Sequence, residues 1–79
     1  MSEKIQETIR AARDSVWVIE NELQKLSEGT SLTEVAKGNI ERNVEHLKIV
    51  VSNSEISESG EDISDLHAAI SAGEAELNK

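Results

Sequence analysis

Apolar residues recur along the first third of this chain at Ile5, Ile9, Ala12, Val16, Ile19, Leu23 and Leu26, in alternating steps of four and three. An α-helix turns about 100° per residue, so this alternation keeps all seven on one face. The pattern predicts a helix over residues 2–27, uninterrupted by Gly or Pro, with Ser2 as a candidate N-cap and Glu3 in the first turn, where the helix dipole favours an acid. The segment Ser27-Glu28-Gly29-Thr30-Ser31 ends it, with Gly29 suited to a left-handed terminus.

A second helix is expected over 31–52. Ser31-Leu32-Thr33-Glu34 reads as a capping box, the Ser side chain capping and Glu34 reaching back three residues. Its apolar face is Leu32, Ala36, Ile40, Val44, Leu47 and Val51. Gly38 interrupts that helix at a cost of about 1 kcal/mol relative to Ala and marks a place where another helix could come close. The β-branched run Ile49-Val50-Val51 is too short to overturn the helical rhythm around it. Residues 52–60 are polar and turn-rich, with Ile56 as the apolar pin to the core. A third helix is expected over 61–78, capped near Ser59 or Gly60, with the stripe Ile63, Leu66, Ile70, Gly73 and Leu77. Gly73 stands where a large side chain is expected, so this seam should weaken toward its end.

Short connections make sequential helices antiparallel neighbours. The fold class is therefore all-α: one domain over 1–79, either an antiparallel three-helix bundle or a long helical hairpin carrying a third helix, with coiled-coil-like seams. If residues 52–60 act as a hinge, the third helix can exchange between copies; if they form an ordered loop, it stays with its own chain.

Some apolar residues fall outside these stripes. Trp17 and Val18 lie about 130° from the centre of the first stripe, on opposite sides of it. Ile49 projects nearly opposite Ile40, Val44, Leu47 and Val51, and Val35 also lies off the second stripe. Two readings follow. Either a bundle wraps two sides of the first helix and Trp17 is a packing residue, or Trp17, Val18, Ile49 and Val35 form a second apolar surface for self-association or a partner. Trp is enriched at interface hot spots. A 79-residue chain without cysteine also has no disulfide to compensate for its small core. Both points favour a homo-oligomer.

Charge adds a separate feature. The net charge is −8. Residues 49–79 contain seven acids and one base, Lys79. Glu55, Glu58, Glu61, Asp62 and Asp65 form a candidate acidic surface. Phosphate neutralisation needs Lys and Arg, so direct nucleic-acid binding is disfavoured. The acids either keep the chain soluble or steer a basic protein partner, in which case the chain is an acidic inhibitor or nucleic-acid mimic that binds a basic protein surface.

Chemistry is sparse. No Gly-x-Ser-x-Gly elbow and no phosphate-cradling glycine loop occurs. His46 and His67 lack the Glu-x-x-His and His-Glu-x-x-His spacings of metal helices, so both are expected on solvated faces. No enzyme activity, cofactor or metal is expected. Without a long apolar run or a signal-like start, no membrane association is expected either, and the cytoplasm is the default location.

The stretch Asn39-Ile40-Glu41-Arg42-Asn43-Val44-Glu45-His46-Leu47-Lys48-Ile49-Val50, the Ser-Gly-Glu-Asp-Ile segment at 59–63, and Ala69-Ile70-Ser71-Ala72-Gly73-Glu74 together resemble small uncharacterised helical proteins of tailed bacteriophages and prophages. The resemblance lies within residues 39–77. It implies a phage-type assembly component or accessory factor in a bacterial host cell, and it carries over no functional residue.

Overall fold

The computed structural model describes residues 3–79, which form four helices: α1 (Glu3–Ser27), α2 (Glu34–Ser52), the single turn α3 (Ser54–Ser57) and α4 (Ser64–Leu77). The candidate cap Ser2 lies outside the described residues. The long helices α1, α2 and α4 pack against one another in an all-α bundle, with α4 seated on both α1 and α2 of its own chain. Its extents are 42 × 18 × 18 Å. A 25-residue helix is about 38 Å long, so α1 sets the length of this rod.

Each boundary has a local cause. At the end of α1, Gly29 adopts φ +98°. Its N–H donates to the Leu26 carbonyl at 3.1 Å, and the Thr30 N–H donates to the Lys25 carbonyl at 3.1 Å. This is a Schellman terminus, which satisfies carbonyls the helix itself leaves open.

The start of α2 corrects the expected capping box. Thr33 rather than Ser31 is the cap, and its hydroxyl accepts from the Ala36 N–H at 3.1 Å. Two candidate caps stand two residues apart, and the expected core-face residue Leu32 lies outside the helix and is exposed. Leu32 lines an open recess with Leu23 and Leu26 of α1, Glu76 and Lys79. Starting the helix at Ser31 would hold Leu32 within α2.

The connection 52–60 is ordered around α3. The Asn53 side chain accepts from the Glu55 N–H at 2.9 Å, and Ile56 is buried in the core. The third long helix then starts at Ser64, three residues later than expected, and neither Ser59 nor Gly60 caps it. Ser59 instead braces the turn, donating to the Ile56 carbonyl at 2.7 Å. Gly60 turns the chain at φ +83°. The carboxylate of Asp62 accepts from both the backbone N–H (3.0 Å) and the hydroxyl (2.7 Å) of Ser64, so it serves the α4 terminus from just outside the helix.

The core joins Ile9, Ala12, Val16 and Ile19 of α1, Ile40, Val44, Leu47 and Val50 of α2, Ile56 of α3, and Leu66, Ala69 and Ile70 of α4. Val50 is buried while Val51, expected on the core face, is only partly buried and packs against the core. Gly73 reverses its expected role. A Cβ there would lie 2.6 Å from Cγ2 of Val44 and 3.3 Å from Cγ2 of Ile40. The missing side chain is what lets α4 approach α2, so the helices meet closely where the seam was expected to loosen. Gly38 marks no such approach: only the tip of Arg42 lies near it.

Candidate functional site

The inner faces of the helices are used up by the core. What remains for function is the outside of the rod. Trp17 is 66 % exposed, Val35 74 % and Ile49 69 %. Trp17 is therefore not the packing residue of a bundle that wraps α1. Val18 differs from the others in being half-buried.

Val35 and Ile49 do not share one patch. Trp17 and Val18 belong to α1, while Val35 and Ile49 stand near opposite ends of α2, fourteen residues or about 21 Å apart along its axis. Val35 borders a recess between the end of α1 and the start of α2, beside Leu26 and Ala36. Ile49 lines a shallow groove of about 420 Å³ on the outer surface of α2, together with Glu41, Arg42, Glu45 and His46. Trp17 borders neither. The groove at Ile49 is open and built on one helix, which suits contact with another protein surface rather than enclosure of a small molecule.

The acidic residues divide into two groups. Glu55, Glu58 and Glu61 are exposed around α3 and the turn that follows. Asp62 and Asp65 are tied into the fold. Arg13 Nε pairs with Asp65 Oδ2 at 3.0 Å, and Arg13 Nη2 donates to the Asp62 carbonyl at 3.1 Å. One guanidinium thus fastens the α4 start onto α1. Sequence reading missed this role of Arg13, since a pairing across about fifty residues leaves no local signal. The hydrogen bonds from the Ser64 hydroxyl and backbone hold the Asp62 carboxyl below its ordinary range, with a smaller contribution from the charge of Arg13. On the other side of α4, Lys48 of α2 pairs with Glu74 and lies 3.9 Å from Glu45. The hydrogen bond to Glu74 raises the Lys48 ammonium above its ordinary value, and the charges of Glu74 and Glu45 add to the effect.

His46 and His67 are both exposed. Among the described residues, no group of three or more His, Cys, Asp or Glu side chains is placed to hold a metal ion. Among the same residues, no helix is long and apolar enough to cross a membrane.

Compared with known protein families, curated proteins and solved structures, the chain matches none of them.

Proposed function

We propose that this chain is a non-enzymatic helical assembly or adaptor protein that works through protein–protein contacts and associates with copies of itself. The observation that carries the reading is the exposure of Trp17, Val35 and Ile49 on helices whose inner faces are already filled. None of the three supports the core of its own chain to any large extent. A large aromatic and two β-branched residues in solvent are what a contact surface supplies. Trp17 lies on α1, and Val35 and Ile49 lie near opposite ends of α2. The resemblance of residues 39–77 to small phage and prophage proteins supports the same class, and with it a place in the cytoplasm of a bacterial host.

The experiment is a double substitution, Trp17→Ala with Ile49→Ser. Native mass by light scattering after size exclusion should fall to that of one chain, while helical circular dichroism stays near wild type. A double variant that keeps the native mass of a wild-type oligomer contradicts the reading.

The exposed acids Glu55, Glu58 and Glu61 favour a second reading, in which the α3 end of the rod meets a basic protein surface. Capture of a basic protein that is lost as salt rises would support it. Capture indifferent to salt would count against it.

A further inference from the structure

Three of the four glycines are required by the fold of a single chain. Gly29 and Gly60 take positive φ, and Gly73 admits Val44. Gly38 is the exception. Its φ is ordinary, and a Cβ would meet only the flexible end of Arg42, at 3.2 Å. It still lowers the propensity of α2. A mid-helix glycine that the single chain does not need is explained if something outside the chain needs it.

The register of α2 shows what that is. Val35, Gly38, Arg42, Glu45, Ile49 and Ser52 follow one another in alternating steps of three and four. They form a second heptad-like seam on the side of α2 away from Ile40 and Leu47. All except Gly38 are exposed, and Gly38 is half-buried. A two-fold axis crossing this seam between Asn43 and Val44 sets α2 antiparallel to α2 of a second copy. That axis places Gly38 opposite Ile49 of the second copy, Arg42 opposite its Glu45, and Val35 opposite its Ser52. The largest exposed aliphatic on the seam meets the position without a side chain, and the one cation meets an acid. By symmetry each contact occurs twice. The flanking positions agree, since Glu41 comes to the side of Lys48 of the second copy. A parallel arrangement would instead set Arg42 against Arg42 and Glu45 against Glu45.

We infer that the outer seam of α2 is an isologous antiparallel interface with a second copy of this chain, Ile49 of each copy seating at Gly38 of the other and Arg42 pairing with Glu45 across the axis. This rests on the self-association proposed above and names the face that performs it. In the free chain, Arg42 Nη2 donates to Asn39 Oδ1 at 2.7 Å, and the guanidinium lies over Gly38. Seating of Ile49 displaces that flexible tip toward Glu45 of the second copy. The seam from Val35 to Ser52 is about 26 Å long, so the pairing is of the small, reversible kind.

The charge pair allows a test by exchange. Arg42→Glu alone places four carboxylates at the axis, and Glu45→Arg alone places four guanidiniums there. Either variant should weaken self-association roughly tenfold or more. An equimolar mixture of the two should recover it, because a heterodimer of these variants restores both opposite-charge contacts. Sedimentation velocity reads association, and circular dichroism confirms that each variant is folded. Gly38→Leu, which fills the seat of Ile49, should also give a folded single chain. If wild type associates but the charge variants and Gly38→Leu associate equally well, the α2 interface is overturned while self-association through another face stands. If the single variants dissociate and the mixture does not recover, the antiparallel register is overturned. If wild type remains a single chain at all concentrations, both this inference and the reading beneath it fail.

Discussion

Gly73 and Gly38 are both mid-helix glycines, and their surroundings predict opposite responses to the same change. Gly73→Ala forces a methyl to within 2.6 Å of Val44 Cγ2 in the middle of the core. Overpacking there costs about 1–3 kcal/mol, more than the gain of about 1 kcal/mol in helix propensity returns. Gly38→Ala meets only a movable guanidinium and should stabilise the single chain by about 0.5–1 kcal/mol. Urea unfolding at high dilution should move the two midpoints in opposite directions; a shared direction contradicts this assignment of the glycines. Sequence pattern showed both positions but not their meaning, because a missing side chain records nothing about what stands beside it.

Asp62 makes a pH prediction at the same scale. Folding lowers its carboxyl below the ordinary 3.8, chiefly through the Ser64 hydroxyl and then the Ser64 N–H. Such a group adds stability above its ordinary value, and that stability is lost as pH falls through the lowered one. Lys48 has the opposite sign. Glu74 raises it above 10.5, so its contribution is complete below that value and disappears as pH climbs through the raised one. Both contributions are present at neutral pH. Asp62→Ala should therefore leave a shallower loss of stability on acidification below about pH 4 than wild type shows. An acid limb identical to wild type would contradict this. The effect is small, since the carboxyl sits at the surface.

The elements differ in how much of them was legible. The α1 stripe could be read because nothing interrupts it: Ile9, Ala12, Val16 and Ile19 are buried in the expected phase, with Ile5 and Leu23 packed alongside. The all-α class follows from the same rhythm. The α2 start was ambiguous because Ser31 and Thr33 can each cap, and the hydrogen bond from the Ala36 N–H to the Thr33 hydroxyl separates them. The turn α3 carried no periodicity at all, being four residues with one apolar pin. The α4 start was misplaced because its cap interaction comes from Asp62, outside the usual N-cap position. Thr33→Ala should lower stability by about 1 kcal/mol, as loss of an N-cap does, while Ser31→Ala should leave it nearly unchanged. Chemical denaturation of the two variants checks this, and equal losses would restore Ser31 as the cap. The candidate contact residues were legible as positions off the stripe. How far each is covered was not: Val18 is half-buried while Trp17, Val35 and Ile49 are exposed, and a helical wheel gives direction around one helix, not what its neighbours cover.

At the scale of the molecule, the rod has a filled interior and a populated exterior. Its ion pairs Arg13–Asp65 and Lys48–Glu74 fasten α4 to both neighbours, so the third helix is held by its own chain. Exchange of α4 between copies is not needed to complete the core. The self-association proposed above would then be surface to surface, through residues outside the core. Sedimentation velocity of the unmodified chain from micromolar to near-millimolar concentration, at low and moderate salt, decides whether that association occurs. The expected result is a concentration-dependent shift from one chain to two, weakened by salt as the Arg42–Glu45 pairs are screened. A single species with the mass of one chain across the whole range would contradict it.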